Sequence, residues 1–144
     1  MSLTKLAVLA TLHCLSGCAI GEVVGTVIGS GFNWSNLATE CLTIPLAFMT
    51  GYALTMRPLL KHQLGFKKSA RVALASDTVS IATMEVVDTL IMLLIPGALA
   101  AGPTTFLFWW SLAAALAVAF VFATPVNRYL IARGKGHAAV HKYH

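Results

Sequence analysis

Four apolar runs dominate this chain, at about residues 6–31, 37–56, 72–95 and 105–132. Each is about as long as the ~20 predominantly apolar residues that a helix needs to cross a bilayer. A backbone in lipid must satisfy its own hydrogen bonds, so only helices or closed barrels qualify, and continuous rather than alternating apolarity selects helices. With 58% hydrophobic and 10% charged residues among 144, a soluble domain would lack the polar surface to cover itself. The expected fold is all-α: one integral membrane domain over residues 1–144, a four-transmembrane-helix bundle with a histidine-containing tail at 133–144.

The ten strong bases fall in three places: Lys5, then Arg57, Lys61, Lys67, Lys68 and Arg71, then Arg128, Arg133, Lys135 and Lys142. With four spans these lie on one side, and the opposite loops, 33–36 and 96–104, hold no base. The positive-inside rule then makes both termini cytoplasmic. The net charge of +5 reports topology and contact with lipid headgroups, and no nucleic-acid partner is expected. Leu15-Ser16-Gly17-Cys18 has the form of a lipoprotein cleavage site, but the apolar run continues to Gly31, so the start is read as a retained first span.

Inside that span Gly17, Gly21, Gly25 and Gly29 recur at every fourth position, a stripe of bare backbone suited to close helix packing. Cys14, Cys18 and Glu22 form a neighbouring column, about 100° round the helix, and His13 heads the glycine stripe. The three cysteines, with Cys41, all lie in apolar spans, which excludes a secreted disulfide framework; buried thiols or metal-ligating thiolates are the two readings. The second span carries Glu40 and Cys41 near its outer end and Pro45 inside, where a kink is expected. The segment 57–71 mixes bases with Leu59, Leu60, Leu64 and Phe66 and is expected to lie on the membrane surface.

The third span holds Asp77, Glu85 and Asp88 beside Met84, on one side of a helix. The fourth span reads as scaffold, with Trp109 and Trp110 at its outer interface. In the tail, His137, His141 and His144 share one face if helical, the spacing of a second metal site, against an unstructured terminus as the alternative.

All five acids therefore sit within apolar spans and all ten bases outside or at their ends. Carboxylates in a membrane helix usually face a bundle interior and are functional by default. At ~1.5 Å per residue, Glu22, Asp88 and the Glu40/Cys41 pair come out at about 24 Å from the cytoplasmic boundary. Cys18, Met84 and Glu85 fall about a turn below, and His13, Cys14 and Asp77 lead to the cytoplasm. With no Lys or Arg in the interior of the spans, these acids must be protonated, hydrated or bound to a cation. Mixed sulfur, imidazole and carboxylate ligands point to a copper- or zinc-type transition metal ion.

His13-Cys14-x2-Gly17-Cys18-x2-Gly21-Glu22, the run ALASDTVSIATMEVVD (73–88) and PVNRYLIARGKGHAAVH (125–141) together resemble a bacterial family of small four-span membrane proteins catalogued as a domain of unknown function. The resemblance covers nearly the whole chain and implies a four-helix membrane protein. The ligand types add the expectation of a metal binding or transport protein of the bacterial inner membrane, a homo-oligomer closed through the glycine stripe. The alternatives are a membrane-embedded di-metal or thiol redox enzyme, for which Glu85-x2-Asp88 has helical ligand spacing, and a small structural subunit of a larger complex.

Overall fold

The computed structural model describes residues 2–61, 63 and 65–133. Among them the chain is all-helical, in the order α1 (Leu3–Gly31), α2 (Asn36–Lys61), α3 (Phe66–Leu94) and α4 (Phe106–Ala132). Short connections make consecutive helices antiparallel neighbours. α1 packs along α2, α2 along α3, α3 along α4 and α4 back along α1, while α1 also reaches α3 across the bundle.

Caps set the helix ends. Ser2 accepts from Lys5 N at 3.2 Å to start α1, and Thr105 accepts from Phe108 N at 3.3 Å to start α4; each satisfies an amide that the first turn leaves without a partner. Gly65, at φ 80°, supplies the left-handed backbone from which α3 departs. The basic segment is not a separate surface element. Residues 57–61 extend α2 and 66–71 extend α3, because Lys, Arg and Leu are good helix formers and both helices keep packing below the turn. α2 is helical throughout, Pro45 included.

The interior is built from small residues. Ala7, Ala10, Cys14, Cys18, Ala47, Ala73, Ala115, Ala119 and Ala123 are buried, and Ile81, Met84 and Phe108 fill the wider gaps. The large apolar side chains face outward instead: Leu9, Val24, Met49, Leu74, Val86, Leu94, Phe106 and Val121 are all exposed. That inversion of the soluble pattern fits helices associating by close backbone approach in an apolar solvent.

Three helical segments, Leu3–Gly31, Asn36–Arg57 and Phe106–Ala132, are long and apolar enough to cross a membrane. Four equally apolar spans are therefore not found among the described residues. α3 has the same 29-residue length as α1, but Asp77, Glu85 and Asp88 fall close together within it and lower its apolar character.

Candidate functional site

The site is organised by one helix pair in fixed register. Gly29 faces Thr39, Gly25 faces Thr43, Gly21 faces Ala47 and Gly17 faces Gly51. One step further, His13 meets Thr55. Each pair moves four residues down α1 and four up α2, so a ladder of small residues on α2 answers the glycine stripe. The approach is too close for side chains: a Cβ on Gly17 would lie 2.6 Å from Gly51 Cα, and one on Gly25 would lie 2.5 Å from Thr43 Cγ2. Thr50 Oγ1 reaches across to donate to Gly17 O at 2.6 Å. The stripe is thus filled within the chain, which removes it as the expected homo-oligomer contact.

Below that ladder lies a closed polar group. His13 Nε2 is 2.8 Å from Thr55 Oγ1, and the Thr55 hydroxyl donates to Asp77 Oδ2. A threonine hydroxyl has one proton, so with Thr55 donating to the carboxylate, His13 Nε2–H must donate to Thr55. The Cys14 thiol, 4.0 Å from Asp77 Oδ1, donates to the other carboxylate oxygen. Both oxygens of Asp77 are engaged, and the residue is fully buried. Nearer the helix ends, Asn127 of α4 donates from Nδ2 to Thr11 Oγ1 at 2.9 Å, and Thr11 donates to Ala7 O at 2.8 Å.

One turn up α1, Cys18 Sγ lies 4.0 Å from Met84 Sδ and exchanges a hydrogen bond with the Glu85 carboxyl. Ala119 and Ala123 of α4 close over this level. Ser80 Oγ is buried beside the Cys14 thiol.

Above it four acids converge from three helices: Glu22 of α1, Glu40 of α2, and Glu85 and Asp88 of α3. Each of the four interacts electrostatically with the other three. Glu22, Glu85 and Asp88 are 4%, 6% and 5% exposed, and Glu40 is half-buried. Among the described residues no Lys or Arg stands beside them. Thr43 supplies its hydroxyl to both Glu22 and Glu40; its Oγ1 lies 3.4 Å from Glu40 Oε2. Asp88 Oδ1 is buried and has no hydrogen-bond partner.

The ten expected ligands are distributed over three levels of the bundle. His13, Cys14 and Asp77 form the closed inner group, Cys18 and Met84 the middle contact, and Glu22, Glu40, Glu85 and Asp88 the outer cluster. Cys41 does not join Glu40. It is exposed on the outer side of α2, since adjacent helical residues point about 100° apart. No three or more His, Cys, Asp or Glu side chains among the described residues are close enough to share a metal ion as they stand. His137, His141 and His144 lie outside the described residues.

Sequence reasoning did not pick out Thr55, Thr43, Thr11 and Asn127 as polar partners. A signal for the first two exists: Thr39, Thr43, Ala47, Gly51 and Thr55 repeat small residues at every fourth position of α2, in antiphase to α1. Asn127 carries no such pattern.

An all-helical bundle with small residues inside, large apolar residues outside and a buried acidic cluster is the architecture of a membrane-embedded helical protein. The chain belongs to the family described as Domain of unknown function (DUF4396), which matches residues 4–136, from the first turn of α1 past the end of α4. Neither a curated protein nor a solved structure matches it.

Proposed function

We propose that this protein is a four-span carrier or channel of the bacterial inner membrane that binds a divalent transition-metal ion of the zinc type at Glu22, Glu40, Glu85 and Asp88. The observation that carries the reading is Asp88: one carboxylate oxygen is buried, lacks any hydrogen-bond partner and faces three further acids. A buried acidic oxygen with nothing to accept from is costly unless a proton, water or cation visits it. A cation answers all four acids at once.

The outer cluster supplies four carboxylates and touches a single sulfur, the Cys18 thiol on Glu85, and a carboxylate-rich set favours a zinc-type divalent ion over copper(I). Cys18 and Met84, then Cys14, His13 and Asp77, continue the polar path toward the other end of the bundle. Holding an ion requires the carboxylates to draw together, since no three of them stand within common ligating reach among the described residues. The fourth span is α3: its three acids all point inward, and its outward positions Leu74, Val79, Val86, Leu90 and Leu93 are apolar. Lys5, Arg57, Lys61, Lys67, Lys68, Arg71, Arg128 and Arg133 all sit at one end of the bundle, which supports cytoplasmic termini.

The di-metal enzyme reading is weaker. His13 is bonded to Thr55 and lies nine residues from Glu22, ~13 Å along the helix. The test is the zinc content of detergent-purified protein, wild type beside Asp88→Asn, Glu22→Gln and the Cys14→Ser/Cys18→Ser pair. Zinc held stoichiometrically by the wild type and the cysteine pair, and lost in the two acid variants, is the expected result. A folded wild type that holds no zinc would overturn the proposal.

A further inference from the structure

At the end of the bundle opposite the basic residues, a cavity of about 290 Å³ opens between the α1–α2 turn and the α3–α4 connection. Thr26, Ser30, Trp34, Asn36 and Thr39 line it, with Ala100 of the connection over one side. The acids do not line it, but two of its lining residues stand next to them along the helices. Thr26 stands one helical turn above Glu22, and Thr39 is the neighbour of Glu40 and one turn from Thr43, the hydroxyl that supports Glu40.

The wall chemistry narrows the occupant. The lining is mostly polar, carries no formal charge and contains no sulfur. An anion gains little there. Among the described residues no base lines the cavity, and the first turn of α2 is already served by Ser35, whose hydroxyl accepts from Ala38 N at 3.2 Å. An organic cation would want an aromatic cage, and Trp34 is a single ring, 45% exposed. Neutral hydroxyls and amides suit water held around an ion. Six waters at ~30 Å³ each occupy about 180 Å³, so the cavity accommodates a divalent ion with a complete octahedral hydration shell.

Resting on the reading of the acidic cluster as a cation site, we propose that this cavity is the outer vestibule of that site. A hydrated divalent cation enters past Trp34 with its water shell intact, and half-buried Glu40 receives it and passes it to Glu22 and Asp88, where carboxylate oxygens replace water.

The experiment places a single reactive thiol in the cavity after folding. Ser30→Cys in a Cys41→Ser background leaves Cys14 and Cys18 buried, and the chain is reconstituted in liposomes and treated with a bulky, membrane-impermeant methanethiosulfonate. Zinc-65 uptake and equilibrium zinc binding in detergent are measured before and after. The expected result is labelling from the face opposite the basic loop, uptake at least tenfold slower after labelling, and equilibrium zinc stoichiometry unchanged. Ala100→Trp, which fills the same space without a reagent, is expected to slow uptake in the same way. Failure of the thiol to label, or labelling with an unaltered uptake rate in a protein that binds zinc, overturns the vestibule alone. A wild type that binds no zinc overturns the acidic-site reading and the vestibule with it.

Discussion

Asp77 and Asp88 stand on the same helix eleven residues apart, both buried, and the protein treats them in opposite ways. Asp77 has both oxygens occupied, one by Thr55 and one by Cys14, with His13 completing the chain behind Thr55. Asp88 keeps one oxygen bare and shares its surroundings with Glu22, Glu40 and Glu85. A carboxylate whose hydrogen-bonding capacity is filled from neighbouring helices holds those helices together. One left unfilled among other acids is held in place by the fold while its own needs go unmet, the condition of a site that takes a partner from outside. On the proposed function, the inner group is structural and the outer cluster is the site.

That contrast can be broken most severely at the ladder both regions share. Gly21→Leu would drive a side chain into the backbone around Ala47. It is expected to destabilise by roughly 3 kcal/mol or more, seen as loss of the folded, monodisperse protein in detergent, and to abolish both regions together. Asp77→Ala comes next. It removes the acceptor that the buried Thr55 hydroxyl and Cys14 thiol share and should cost about 2–3 kcal/mol, read as a lower thermal midpoint. Asp88→Asn sharpens the comparison because its effect falls elsewhere. Zinc affinity should drop at least tenfold, about 1.4 kcal/mol, by equilibrium dialysis, while the thermal midpoint stays or rises. A midpoint that falls as far as that of Asp77→Ala would erase the distinction between the two aspartates. Thr55→Val should cost about 1 kcal/mol of stability, with zinc affinity within twofold of wild type. Cys41→Ser, on an exposed position, should change stability by less than about 0.5 kcal/mol and leave zinc binding intact.

Much of the fold was legible because the solvent imposes it. The helix positions agree with the apolar runs to within a few residues, except where the basic segment prolongs α2 and α3 by whole turns. There hydropathy falls but helix propensity does not, so an apolar-run criterion ends the helices too early. The glycine stripe announces a close-packing face, and its partner is α2 rather than a second copy. A stripe of four glycines is equally ready to meet a second copy or a neighbouring helix, and the answer lay in the small residues at every fourth position of α2. Cys41 was misplaced for a simpler reason. Depth along a helix says nothing of azimuth, and one residue of difference turns a side chain from the interior to the outside.

Sequence by itself determined the helical class, the apolar exterior, the segregation of bases to the ends and acids to the interior, and the inward face of α3. All of these follow from one-dimensional spacing read against a helix of 3.6 residues per turn in an apolar solvent. Only the tertiary structure decided which polar groups meet. Whether Asp77 finds Thr55 and Cys14, and Asp88 finds other acids, depends on the cyclic order of four helices and on the axial register of α1 against α2. Spacing within one helix carries no information about either quantity, because sliding a neighbour by one turn preserves every periodicity and exchanges every partner.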